Sequence, residues 1–314
     1  MKNSVVDISV VIPVFNSGKC LPSLIERLGK ALDETGSQKT EIILVDDASR
    51  DESWSVIKTL ASQDSRVRGI RLMRNAGQAA ATICGLCEAR GAIVITMDDD
   101  LQHPPEEIPK LIEVLEAQPN IDCVFAYFPI KQHKIYRNVG SQLIRSIYAR
   151  SFKLPKSVRS SAFRVMRFAL AQTVASHGTV NPSVSLLIYE STNRVMSVPV
   201  EHAPRYRGSS GYSLAKQLHL ALDTICNVTM LPLRAVSMLG FIICFLSIVF
   251  ATSVMWRYLS DKIHVAGWTT LSLIVSLSSG LILLALGVTG EYIVRILREV
   301  RGAPRFIVRD RIDP

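Results

Sequence analysis

A chain of 314 residues with 48% apolar residues and a net charge of +9 has the length for one large domain, or two smaller ones, around a buried core. Its basic residues are not gathered into an aromatic-studded module of the kind that grips nucleic acid, so no nucleic-acid partner is expected. The mean hydropathy of +0.25 is high for a fully water-exposed protein, and the excess is local.

No signal peptide is read at the start: Met1 to Asp7 leads directly into Ile8–Val14, a β-rich apolar run. Leu21–Asp33 carries apolar residues at helical spacing. Glu41–Val45 is predicted as a strand, ended by Asp46 and Asp47. A helix over Ser53–Ser62, a strand over Val67–Leu72 and a helix over Gln78–Ala89 follow. Ala92–Met97 is a further strand, and it runs into Asp98, Asp99 and Asp100. This rhythm predicts an α/β fold, a Rossmann-like and mostly parallel sheet with helices on both faces. Ligands of such sheets bind beyond the carboxyl ends of the strands. Asn16, Asp46–Asp47, Arg74–Gly77 and Asp98–Gln102 all stand there. After Asp122 the rhythm fades into a strand over Val124–Tyr127, a basic helix over Ile135–Ser151, and a strand over Val195–Val200 with the loop Pro204–Tyr212 behind it.

Ser213–Met230 places Leu214, Leu218, Leu222, Ile225 and Val228 at helical spacing. Such a helix can lie flat on a membrane or dock against the preceding domain. Two apolar runs almost free of charge follow, at about 235–257 and 268–289, each near the ~20 residues that cross ~30 Å of hydrocarbon. The short connector between them requires an antiparallel hairpin. Arg234 precedes it and Arg295, Arg298, Arg301, Arg305, Arg309 and Arg311 follow it, so the positive-inside bias puts both ends in the cytoplasm; Arg257 can snorkel to the interface. The expected organisation is a catalytic domain over 1–212, a juxtamembrane helix over 213–231, a transmembrane hairpin over 232–290 and a basic cytoplasmic segment over 291–314. The expected location is the inner membrane, with the lipid bilayer as a partner.

Of the six cysteines, Cys84 and Cys87 have the spacing of half a zinc site, but no partner pair exists and the segment reads as helix. They are read as reduced thiols. The run Asp98-Asp99-Asp100-Leu101-Gln102-His103-Pro104-Pro105 is different. Three adjacent carboxylates at the end of a buried strand repel one another unless a cation is present. Mg²⁺ or Mn²⁺ suits them, because such ions take one or two carboxylates plus diphosphate oxygens.

With Val10–Asn16 and Val45–Ser49, the stretch Met97–Glu106 resembles, in order and spacing, the family 2 glycosyltransferases, and within them the dolichyl-phosphate mannose synthase and bactoprenol-phosphate branch. The C-terminal hairpin, Gly290–Ile293 and Arg301–Arg305 are similar to the bactoprenol-linked members. The resemblance implies a GT-A fold and an inverting, metal-dependent transfer of a sugar from a nucleotide-sugar to a polyprenyl phosphate, undecaprenyl phosphate being the expected acceptor. It also implies a tetramer. Carried onto this chain, it has Pro13, Phe15 and Val45 wall the base and Asp47 accept a base N–H. Asp98 and Asp99 then meet the ribose and diphosphate, Asp100 and Gln102 hold the metal, and Arg205 meets the donor phosphates. Asp98, Asp100 and Arg205 become the catalytic set, while any of Arg205, Arg207 and Arg164 can also be read as surface charge. Ser17 stands where the family shows Glu, Val158 where it shows an acid, Gly211 where it shows a cation, and Phe128 where the dolichyl group shows Arg. Those departures keep two alternatives open: an inactive membrane scaffold, and a transferase acting on a non-lipid glycan.

Overall fold

The computed structural model of the chain describes residues 6–128, 152, 157–178, 183–200, 267–300 and 304–313 and part of 236–256. The chain divides into two compact units, Met1–Gly211 with Gly302–Pro314, and Tyr212–Arg301.

In the first unit, β1 (Val6–Val14), β2 (Thr40–Asp46), β3 (Val67–Leu72) and β4 (Gly91–Thr96) alternate with α1 (Leu21–Glu34), α2 (Ser53–Gln63) and α3 (Gln78–Glu88). After α4 (Ile108–Ala117) come β5 (Cys123–Tyr127), β6 (Arg164–Arg167), α5 (Phe168–Ser176), α6 (Val184–Ser191) and β7 (Val195–Pro199). The last strand, β8 (Val308–Ile312), comes from the far end of the chain. The eight described strands form one sheet in the order β7-β5-β6-β4-β1-β2-β3-β8. Strands β1 to β4 run parallel, and β6 and β8 run against their neighbours, so the sheet is mixed with a parallel majority.

Strand side chains alternate between faces, and the apolar runs are continuous because both faces are covered. Val10, Ile12, Ile42 and Leu44 meet Leu24 and Leu28 of α1, Ile57 of α2 and Leu111 of α4. Val11, Ile43, Val45 and Val94 meet Ile83 and Leu86 of α3, Leu170 of α5 and Leu187 of α6. Fully burying each such side chain stabilises by about 1.5–3 kcal/mol. Gly85 is what lets α3 sit this low: a methyl group there would come within 2.3 Å of Val11 Cγ1.

Strand β8 lies antiparallel on β3, with Ile70 opposite Arg311 and Gly69 opposite Ile312. Part of the basic segment 291–314 is therefore the edge strand of the first unit. Its dock is electrostatic as well as ladder-like: Arg68 Nε meets Asp313 at 3.0 Å, and its other nitrogens meet Glu41 at 3.2 Å and Glu88 at 3.6 Å.

In the second unit, α7 (Trp268–Val300) is a helix of 33 residues, about 50 Å long at 1.5 Å per residue. Leu271, Ile282, Leu286 and Ile296 are each more than half exposed along it. Among the described residues no helix is long and apolar enough to cross a membrane, several side chains of Trp268–Val300 lying outside them. All of the expected basic helix at 135–151, all of that at 213–230 and much of the run 235–257 also lie outside the described residues.

Candidate active site

The parallel strands point their carboxyl ends at one rim, and the turns after three neighbouring strands there each hold a non-glycine residue in the left-handed region: Asn16 after β1 (φ 54°), Ala48 after β2 (φ 55°) and Leu101 after β4 (φ 60°). Such residues cost on the order of 1–3 kcal/mol each and cluster where surrounding structure fixes them. Here the fixing is visible. Asn16 N–H donates to Ser49 Oγ at 3.0 Å, and Asn16 Oδ1 accepts from Arg50 N–H at 2.9 Å. Leu101 anchors its turn with a side chain that is buried.

These turns surround a cavity of about 280 Å³ lined by Pro13, Val14, Phe15, Asp47, Asn75, Gly77, Gln78 and Asp98–Asp100. One wall is apolar, with the Phe15 ring 46% exposed at its mouth. The Arg74–Gly77 turn closes a second side. It is fixed by Asp47, which accepts from Ala76 N–H at 2.7 Å and Gly77 N–H at 2.8 Å. Gly77 has φ 91° at the N-cap of α3, a conformation open to glycine at little cost.

The third side is acidic. Asp99 Oδ2 accepts the Phe15 N–H at 3.1 Å, and Asp98 Oδ1 accepts from Gln78 Nε2 at 2.5 Å. Burial, then the charge of Asp100, pushes Asp98 up to about 6. Burial, with Asp98 and Asp100 beside it, pushes Asp99 up to about 6 against the Ser17 and Phe15 hydrogen bonds that lower it. Asp100 accepts from Gln102 twice, from its backbone N–H at 3.1 Å and from its side-chain amide. Below them His103 is buried. Its Nδ1 accepts the Asp98 N–H at 3.0 Å, so that nitrogen carries no proton and its 3.8 Å approach to Asp98 Oδ2 is not an ion pair. The ring stacks between Phe128 and Phe163 at 5.7 and 5.4 Å.

A sequence model of glycosyl transferase family 2 matches residues 9–174. The chain belongs to that family. It is 34% identical over 306 residues to the undecaprenyl-phosphate 4-deoxy-4-formamido-L-arabinose transferase of Edwardsiella ictaluri, covering 96% of this chain and 93% of that one. It is 34% identical over 304 residues to the enzyme of the same name from Pseudomonas aeruginosa, covering 96% and 89%. Among solved structures it is similar to glucosyl-3-phosphoglycerate synthase from Mycobacterium tuberculosis in complex with Mn²⁺, uridine diphosphate and glucosyl-3-phosphoglycerate. There the TM-score is 0.52 at 20% identity, over 70% of this chain and 78% of that one. The complex of that synthase with Mn²⁺ and UDP-glucose gives 0.51 at 18%, over 72% and 80%. At these identities the likeness establishes the GT-A-like sheet fold.

Within this family 2 domain the structure brings Pro13, Phe15, Asp47, Asp98, Asp99 and Asp100 to one cavity. Gln102 adjoins it through Asp100. Val45 is fully buried in the core behind it. Arg205 and Gly211 lie outside the described residues. Ser17 sits beside Asp99, Phe128 against His103, and Val158 is buried. Arg164 is only 5% exposed; it is no surface charge. Cys84 and Cys87 lie on α3, and both are among the free cysteines. Burial pushes the Cys84 thiol up to about 12.

Gln78 was not foreseen. A single glutamine at a helix start carries no signal of its own; the one clue is Gly77, whose need for a positive φ fixes where the first turn of α3 begins.

Proposed function

We propose that this family 2 glycosyltransferase moves a sugar from a nucleotide-sugar to a polyprenyl phosphate at the cytoplasmic face of the inner membrane, inverting the anomeric centre with help from Mg²⁺ or Mn²⁺. One observation carries the reading: an exposed aromatic wall, a backbone-lined turn and three carboxylates converge on a single cavity. Those are the parts needed to hold a base, a ribose and a diphosphate. The acceptor is supported by the names of the full-length relatives.

The donor set fits a hard cation. Asp100 and Gln102 are close and oxygen-bearing, and burial first, then the neighbouring carboxylates, holds Asp98 and Asp99 up at about 6. Among the described residues no three His, Cys, Asp or Glu side chains form a metal cage. Mg²⁺-type ions fit that pattern, since they are held by one or two carboxylates together with substrate phosphates. Asp100 would hold the ion with the Gln102 amide turned to present its oxygen. When bound, the cation neutralises the departing diphosphate.

The chain's own residues do the rest. Phe15 and Pro13 flank the base, Asp47 holds the turn against it, and Asp98 and Asp99 orient the ribose and diphosphate. Arg205, with its planar cationic fork, is assigned to the donor phosphates. The acceptor phosphate has its second pKa near ~6 and arrives ionised, so the missing acids at Ser17 and Val158 are not required as a base. Its oxygen forms the new bond to the anomeric carbon as the bond to the diphosphate oxygen breaks. Alignment and charge stabilisation supply the catalysis.

Membrane attachment is supported by the uncharged stretch Leu271–Val288 within α7 and by the apolar side chains that α7 leaves exposed. The deciding assay incubates the purified chain with labelled UDP- and GDP-sugars, Mn²⁺ and undecaprenyl phosphate, then resolves the lipid product. A labelled lipid is expected from wild type and none from Asp100→Ala of unchanged melting temperature. Full activity in that variant defeats the metal assignment, and no labelled lipid from any donor defeats the reaction.

A further inference from the structure

Beneath the acidic turn the ladder of the sheet ends earlier on one side than on the other. Met97 N–H still donates to Val11 O of β1 at 3.2 Å. The next N–H along a strand points to the opposite neighbour, here β6, whose pairing with β4 stops at Thr96 and Arg164. The part-buried N–H of Asp98 therefore has no strand carbonyl to meet, and such a donor needs an acceptor. His103 Nδ1 supplies it at 3.0 Å.

The ring that carries this nitrogen is held on both faces. Phe163 is fully buried and stacks on it at an interplanar angle of 21°, while Phe128 stacks on the other face at 2°. The centroid separations of 5.4 and 5.7 Å are those of favourable aromatic pairs. The segments bearing these rings are tied down in turn: Ala126 N–H donates to Phe163 O at 2.9 Å, and Thr96 Oγ1 donates to Ala162 O at 2.7 Å. The stack thus aims Nδ1 in one direction. An accepting nitrogen offers a lone pair, not a proton, to the Asp98 carboxylate 3.8 Å away, so the ring does not draw that side chain down. Gln78 Nε2 takes Oδ1 instead, on the wall of the donor cavity. Two partners set Asp98: His103 its backbone, Gln78 its carboxylate.

We infer that His103 is a positioning residue for donor binding: by accepting the Asp98 N–H from a ring stacked between Phe128 and Phe163, it orients the peptide that aims the Asp98 carboxylate into the donor cavity. The inference rests on the proposed reading of that cavity as the seat of the nucleoside diphosphate. What counts is an acceptor at the Nδ1 position, and the stacked ring serves to aim it. Packing and acceptance then call for different substitutes. As packing, His103 is best replaced by another aromatic ring. As an acceptor, it is best replaced by a side chain whose oxygen falls where Nδ1 stands.

His103→Phe keeps the ring and its stack but has no acceptor. His103→Asn loses the stack, while its Oδ1 is as many bonds from the backbone as Nδ1 is. His103→Gln carries its oxygen one bond further out, past that N–H. The test is calorimetry on the full chain in detergent with Mn²⁺ and UDP or GDP, together with transfer kinetics to undecaprenyl phosphate from the nucleotide-sugar that wild type uses. His103→Phe and His103→Gln should each weaken the better-binding diphosphate by tenfold or more and raise the donor KM alike, leaving the KM for undecaprenyl phosphate within twofold. His103→Asn should stay within threefold of wild type, an order opposite to the one that packing gives. A Phe variant that binds the diphosphate as well as the Asn variant, or better, overturns the inference, as does equal weakening by all three or by none. If His103→Phe does not fold, the comparison of Gln with Asn decides in the same way. No heat from UDP or GDP with the wild-type chain is a separate outcome: it removes the donor reading of the cavity, and this inference with it.

Discussion

The carboxylate of Asp47 accepts the backbone N–H of Gly77 at 2.8 Å, joining the end of β2 to the start of α3 across the donor cavity. The bond and its twin to Ala76 engage two part-buried backbone donors of that turn. Asp47→Ala should cost about 1–3 kcal/mol of stability, the range for an orphaned buried polar group. It should also weaken nucleoside diphosphate binding more than Asp47→Asn, which keeps one acceptor oxygen. Urea denaturation and calorimetry of the two variants check this; equal behaviour of Ala and Asn would remove the turn-holding role.

Asp98 and Asp99 give a signed pH dependence. Both are held up at about 6, whereas an unfolded aspartate titrates near ~3.9. Between those values the folded chain binds more protons than the unfolded one. Stability should therefore fall as pH rises from about 4 to about 6, then level off. Asp99→Asn is expected to flatten that fall in thermal melts recorded with chelator and without nucleotide. A wild-type slope in the variant would contradict the assignment. Cation binding must displace the same protons, so Mn²⁺ affinity should rise across the same window.

Arg68 ties the edge strand into the sheet while itself only 8% exposed, against a Glu41 that is 7% exposed. Glu41 also accepts from Ser9 Oγ and Arg90 N–H. Arg68→Met would leave that carboxylate buried without its cation, at a cost of about 3–5 kcal/mol. Asp313 is 62% exposed, and Asp313→Ala should cost less than about 1 kcal/mol. Chemical denaturation of both variants tests the ranking, and a larger loss from Asp313→Ala would reverse it.

Gly85→Ala probes the contact between α3 and β1. The added methyl meets Val11 Cγ1 and Val45 Cγ2, neither of which can retreat within a filled core, so overpacking of about 1–3 kcal/mol is expected. Because α3 also carries Gln78, donor affinity should fall with stability. Unchanged donor affinity in a destabilised variant would uncouple the two.

The sequence made β1 to β4 and α1 to α3 legible for a physical reason. Strands covered on both faces are mostly apolar runs, and Ile8–Val14, Ile42–Val45 and Ala92–Met97 fit, with Ser9 and Thr96 the polar exceptions. The acidic turn was legible because three adjacent carboxylates at the end of a buried strand repel one another, a cost that local hydrogen bonding alone gives no reason to expect. Strand β8 was not. Val308-Arg309-Asp310-Arg311-Ile312 carries charge at its three central positions, as exposed edges do, and its partner β3 lies more than 200 residues away. Arg164 was open to reading as surface charge because what buries it, Thr96 and Ser185, comes from sequence positions 68 and 21 residues distant. No local pattern announces a partner of that kind.

The pairing of β8 with β3 also constrains how the intervening chain can be threaded. The polypeptide leaves the first unit at Gly211 and rejoins it by Gly302, so Tyr212–Arg301 is a loop tethered at both ends to one folded body. A tethered loop that enters a bilayer must come out through the leaflet it went in by. Any traverses such a loop makes are even in number, since a lone span or a triple one would strand Val308–Ile312 on the far side from its own hydrogen-bond partners.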